Sequence, residues 1–217
     1  MKKSKPKTLI ATLIAIVMFL IPVIALASDP PAPIAKTGQT TSYQTGDDGD
    51  YEKGVDWPDP RFTDNGDGTV TDNLTGLMWA KDANWLGEYK TWNDAIDYAN
   101  NLSLGSDGCG TSYTDWRLPN VNELESLRDL GKHNPAQPSG HPFLNMVSIF
   151  YWTSTAVNGN SEAWWAVDFR DGTAGGRLWS DKAWVWPVRG NALPDSPAPV
   201  AKTGQTTSYI TGDEGEL

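Results

Sequence analysis

RFTDNGDGTVTDNLTGLMW, residues 61–79, sets two turn signals between three short strand-like runs and ends on a tryptophan that begins a core. Asn65-Gly66 and Asp67-Gly68 supply the positive-φ residues of a tight hairpin, and Asn73 to Gly76 supplies a second turn. Two stretches of the same character follow, DWRLPNVNELESL from Asp115 and YWTST from Tyr151. Before the first of these, residues 91–102 place Trp92, Ala95, Ile96, Ala99 and Leu102 on one helical face, with Thr91 and Asp94 in a capping-box pattern. A second helix is expected after Pro119. Asn120 is its N-cap, Glu123 lies three residues on, Val121, Leu124, Leu127 and Leu130 form its buried stripe, and Gly131 is its C-cap.

Beyond that helix the period becomes that of strands. Residues 149–155 form one, and Trp165, Val167 and Phe169 alternate with Ala166 and Asp168 in another. Asp171-Gly172 turns the chain, and residues 177–179 and 184–188 are further candidates. A hairpin, two helices and then several strands is an α+β order.

Residues 1–27 read as an export signal: Lys2, Lys3, Lys5 and Lys7, an apolar run from Leu9 to Ile24, and Ala25-Leu26-Ala27 before Ser28. The apolar run is short for a membrane span and Pro22 interrupts it, so no stable membrane insertion is expected after cleavage. The chain carries 17 basic and 27 acidic side chains, and four of the lysines lie in the leader. Cleavage therefore deepens the net charge from −10 to −14, with 13 basic against 27 acidic groups. Such a surface repels phosphate backbones, which argues against nucleic acid as a partner, and it repels polyanionic glycans as well. Cys109 has no second cysteine to pair with inside the chain. It is either a small side chain in the SDGCG loop or a link to another molecule.

The chain also repeats itself. PAPIAKTGQTTSYQTGDDG, from Pro31, returns as PAPVAKTGQTTSYITGDEG from Pro197. The expected organisation is a signal over 1–27 and an extended Pro/Gly/Asp-rich lead over 28–60. A globular domain over 61–190 follows, and 191–217 is a linker with the start of a second repeat. A segment as short as the second copy cannot bury a core of its own, so residues beyond about 194 are expected to be disordered and dispensable.

With GQTTSY, the hairpin block, TWNDAIDYANNL, DWRLPNVNELESL, YWTST and the closing VWPVRG in this order, the chain resembles the Legionella collagen-like protein C-terminal domain family from Gly38 to about Gly190. The resemblance implies a C-type lectin-like plan. That plan has two helices, a small twisted, mostly antiparallel sheet and long irregular loops that carry a binding surface. It implies adhesion or glycan binding for some members. Many members have cysteines near the positions of Asn84-Trp85 and Tyr98 to Asn100, partnering one near Cys109. This chain has none there, so that disulfide is lost, and Trp79, Trp92, Trp116 and Trp152 are expected to supply core packing instead.

No cofactor is evident. Trp92-Asn93-Asp94 matches the letters of a calcium-lectin triplet but opens a helix, where Asp94 caps and Trp92 packs. Asp64, Asp67 and Asp72 are explained by hairpin turns. A structural calcium between loops stays open without a residue set to support it.

The function expected is an exported binding or adhesion module that recognises a glycan or a surface protein through loops after the second helix. Its candidate contacts are Asn158, Asn160, Glu162, Trp164, Arg177, Asp181, Lys182 and Trp184, which interleave aromatic faces with amides and charges. Strand alternation predicts that Trp165 faces inward with Val167 and Phe169, which turns Trp164 outward. The alternatives are a structural repeat of a surface filament or stalk and a carboxylate-dependent glycosidase. An enzyme is not the expected reading. The oxidases hosted by a related lectin-like fold need paired reactive cysteines, and no carboxylate pair is marked.

The leader generates the first prediction. The intact mass of exported protein should begin at Ser28, and a membrane-bound species that retains residues 1–27 would refute the cleavage site.

Overall fold

The computed structural model describes residues 33–102, 113–160, 162–190, 196–206 and 208–209. The leader and Cys109 lie outside the described residues. The decisive stretch folds as read. β1 (Phe62–Asp64), β2 (Thr69–Asp72) and β3 (Met78–Ala80) run antiparallel, with Phe62 opposite Asp72 and Val70 opposite Trp79. Gly66 and Gly68 take φ of 75° and 83° in the first turn, which only glycine accepts cheaply. In the second turn the buried Asp72 carboxylate accepts from Leu74 N–H at 3.0 Å and Thr75 Oγ1 at 2.9 Å. It also faces buried Arg61 at 3.4 Å, and the guanidinium lies over the Trp57 ring at 4.4 Å.

α2 spans Trp92–Asn100 behind Thr91. The Thr91 hydroxyl accepts from Asp94 N–H at 3.5 Å and donates to the Asp94 carboxylate at 2.7 Å, so only half of the capping box forms. α3 (Val121–Ser126) has the whole box: Asn120 Oδ1 accepts from Glu123 N–H and Glu123 Oε2 from Asn120 N–H. It stops a turn earlier than the apolar stripe predicts. Leu130 is 43% exposed, and Gly131 is not the C-cap. The cause is tertiary. Asp129 N–H donates to Ala136 O and Leu130 N–H to Thr37 O, so these groups leave the helical ladder for other segments.

β4 (Phe150–Ala156), β5 (Ala163–Asp168) and β6 (Thr173–Leu178) form an antiparallel three-stranded sheet in that order. β7 (Val188–Arg189) closes the other sheet beside β3, giving the order β1-β2-β3-β7. The fold is thus α+β, with short helices and two small antiparallel sheets. Among the described residues no helix is long and apolar enough to cross a membrane.

The core divides in two. One cluster gathers Val70, Leu77, Trp79, Leu124, Leu127, Tyr151, Val167, Phe169 and Trp186. The other gathers Trp92, Ala95, Ile96 and Ala99 of α2 with Trp152, Trp164, Ala166 and Val185. β5 is therefore covered on both faces, and this corrects the expected orientation of its tryptophans. Trp164 is buried at 5% exposure, stacked on Trp92 with centroids 4.2 Å apart, while Trp165 is half-buried. Alternation holds, but α2 seals the face that a one-sided sheet would leave to water.

The lead segment contains a one-turn helix, α1 (Asp48–Tyr51), behind the Asp47 N-cap. The segment closes on itself, with Lys36 N–H donating to Val55 O and Trp57 Nε1–H to Lys36 O at 3.0 Å, and it is pinned to the domain where Leu130 N–H donates to Thr37 O. Gly38 takes φ of 90°, and a Cβ there would collide with Asp129 and Trp57. The tail expected to be disordered also packs. Ala198 N–H donates to Leu74 O at 3.0 Å, Asn122 Nδ2–H to Ala201 O at 2.9 Å, and Ala156 N–H to Gln205 Oε1 at 2.6 Å. The segment builds no core of its own but finds acceptors, donors and apolar surface on the finished domain.

Two predictions follow from burial. Trp152 is wholly buried and donates its indole N–H to Lys90 O at 2.8 Å, and Trp116 is 2% exposed. Trp152→Ala or Trp116→Ala should each cost about 3–5 kcal/mol in chemical denaturation. Folded variants within 1 kcal/mol of the parent, a limit of about one ordinary hydrogen bond, would contradict the assignment.

Asp129 is buried, and burial raises its carboxyl above the ordinary range, against an opposing hydrogen bond from Gly131 N–H. The folded state then holds this proton to higher pH than the unfolded chain, so stability falls as pH rises from the ordinary carboxylate pKa through the raised one. Asp129→Asn should gain melting temperature over the parent at neutral pH and lose that advantage in acid. A difference that is independent of pH would show that ionisation is not involved.

Candidate functional site

Segments 88–92 and 178–184 run side by side. Lys90 and Ala183 exchange both backbone hydrogen bonds at 3.0 Å, and Trp92 N–H reaches Trp179 O at 3.5 Å. The pairing brings two exposed aromatics onto neighbouring segments. Tyr89, at 48% exposure, lies over Trp184 with centroids 4.4 Å apart, and Trp179 is 48% exposed beside the half-exposed Leu178. Charged groups rim them. Lys90 pairs with Glu88 at 2.7 Å, and Asp181 closes the turn by accepting from Leu178 N–H at 3.3 Å while Lys182 stands exposed.

Arg177, on β6, lies 4.2 Å from the Phe150 ring centroid, with Asp181 at 3.6 Å. The loop between β4 and β5 joins this surface through one bond, Trp179 N–H to Glu162 O at 2.9 Å. Within that loop Asn160 Oδ1 accepts from Glu162 N–H at 3.0 Å, and Asn158, Asn160 and Glu162 are exposed.

The sequence candidates thus separate. Glu162, Arg177, Asp181 and Lys182 border one surface. Asn158 and Asn160 extend from it along the loop. Trp164 and Trp184 lie beneath as packing, because Trp92 and Tyr89 cover their rings. Tyr89 escaped sequence reading altogether. It falls in the aperiodic run LGEYK between two motif blocks, and only the long-range Lys90–Ala183 bridge reveals its place. Among the described residues, Arg177 Nε and the indole N–H groups of Trp164 and Trp184 have no acceptor, and no group of three metal-ligating side chains comes together.

A second concavity, a cleft of about 630 Å³, lies between the start of α3 and the end of β4. Val121, Asn122, Val157, Asn158 and Trp165 form its domain side, and tail residues from Lys202 to Thr206 with Tyr209 form the other. Its polar groups are amides and hydroxyls, with Lys202 the charged group on its wall.

The family model described as Lcl C-terminal domain matches residues 68–189, from the start of the second hairpin strand through β7. No curated protein matches the chain.

Proposed function

The chain belongs to the Lcl C-terminal domain family, and from that premise we propose that it is an exported adhesion module that binds neutral glycans on the surface shared by Tyr89 and Trp179. The observation that carries this reading is the pair of exposed aromatic rings on hydrogen-bonded neighbouring segments, rimmed by Glu88, Lys90, Asp181 and Lys182. Sugar rings stack their C–H faces on such aromatics, while flanking charges and amides orient the hydroxyls. The acidic balance of the chain disfavours polyanionic glycans, which narrows the ligand to neutral or basic sugars. The short helices α2 and α3 beside small antiparallel sheets are compatible with the lectin-like plan that the family resemblance implies.

A glycosidase reading has less support. The carboxyl that burial raises, Asp129, faces the lead segment at Gly38 and not the aromatic surface. The test is a glycan array with the intact protein, followed by Trp179→Ala and Tyr89→Ala variants whose melting temperatures match the parent. Each substitution should weaken binding at least tenfold, about 1.4 kcal/mol. An empty array, or undiminished binding by both variants, would sink the proposal.

A further inference from the structure

The sequence TTSY and its neighbours occur twice, and the two copies meet the same domain in different ways. Their local geometry is shared. In the first copy Gln39 N–H donates to Thr37 Oγ1 at 3.2 Å across Gly38, whose φ is 90°. In the second, Gln205 N–H donates to Thr203 Oγ1 at 3.3 Å across Gly204, whose φ is 86°. A turn made by its own threonine and glycine arrives preformed wherever it docks.

Among the described residues, the hydrogen bonds that hold the two copies use different atoms. In the first copy Ile34 O, Lys36 N–H and Lys36 O are bonded within the lead segment, to Val55 and Trp57, and Thr37 O accepts from Leu130 N–H of the domain. The second uses Ala198 N–H, Ala201 O and the Gln205 side chain, the last two of which correspond to Ala35 O and Gln39 in the first. In the first copy, Gln39 turns back onto Thr41 O at 3.1 Å. The apolar positions divide in the same way. Val200 packs against the main core and Tyr209 lies 6.4 Å from the Trp164 ring, edge to face. Their counterparts Ile34 and Tyr43 are 82% and 84% exposed. One face of the segment thus fits the domain that follows it, and the other fits the cleft between α3 and β4.

We propose that the domain side of this cleft, where the tail now lies, is a receptor for this segment, and that Ile34–Tyr43 of a second copy of the chain docks there in the tail's place, joining copies head to tail. The docked residues 198–209 show the mode of seating: the Ile34 side chain takes the place of Val200, Gln39 accepts from Ala156 N–H, and Tyr43 reaches Trp164. The two sets of contacts use different atoms, so a segment can hold its own domain and the next one at once. The contact is heterologous and leads to chains or rings rather than closed pairs. The chain's own tail competes from an effective concentration on the order of millimolar, so in the intact protein the tail holds this seat against a second copy.

The test loosens the tail in the intact protein. Val200→Asp with Gln205→Ala should give association that rises with concentration in sedimentation velocity, well beyond the parent. Adding Ile34→Asp should abolish it, and excess synthetic peptide of residues 197–209 should disperse it. A loosened variant that stays monomeric overturns the proposal, as does association that ignores both Ile34→Asp and the peptide. Should Val200→Asp prevent folding, Gln205→Ala with Tyr209→Ala loosens only the outer end of the tail, and the same readouts decide. None of these substitutions touches Tyr89 or Trp179, so failure here leaves the glycan reading standing.

Discussion

Trp186 is the side chain on which the two sheets depend. Its ring meets Trp79 of β3 at 5.8 Å, Phe143 at 4.8 Å, Tyr151 of β4 at 5.5 Å and Phe169 at 5.7 Å, and its N–H donates to Ala80 O at 2.9 Å. Sheets of four and three short strands need an apolar face buried against a partner to be stable. One fully buried indole with its polar atom satisfied gives both a common interior, and the edge-to-face angles suit the ring quadrupoles. The residues around Trp186 then fall into place. Val188 and Arg189 pair with β3, while Trp184 and Ala183 lie along β4 and the segment before α2.

A second constraint orders the cleft. Arg117 makes a two-pronged contact with Glu123 at 2.7 Å on each oxygen, and also donates to Gly190 O at 3.0 Å. Glu123 in turn caps Asn120 N–H. Asp115 pairs with Arg189 at 2.7 Å across the same junction. The blocks DWRLPN and VWPVRG are therefore two halves of one polar clasp, which holds the first turn of α3 against the closing strand. The wall of the cleft formed by Val121 and Asn122 is fixed by charges that lie outside it.

Much of this was legible locally. Asn-Gly and Asp-Gly turns, the Asn120 cap and the apolar stripe of α2 are short-range signals, and each appears where the residues put it. What escaped depends on distant partners. The early end of α3 follows from Thr37 capturing Leu130 N–H, a contact between remote segments. The burial of Trp164 follows from Trp92, contributed by a helix far away in sequence. Tyr89 and Trp179 come onto neighbouring segments only through a backbone bridge that no periodicity announces. The docked tail escaped because composition describes a segment in isolation, and Ala198, Val200 and Gln205 draw their partners from the domain.

Among the described residues, the sheet order β4-β5-β6 leaves β6 with a neighbour on one side only. Such a margin invites indiscriminate strand addition by any passing chain. The sequence there, TAGGRL, resists it: adjacent glycines carry no side chain to knit a new strand in place, and Arg177 sets a charge beside them. Promiscuous growth along the sheet is thereby discouraged, and encounters between molecules are left to surfaces that read side chains.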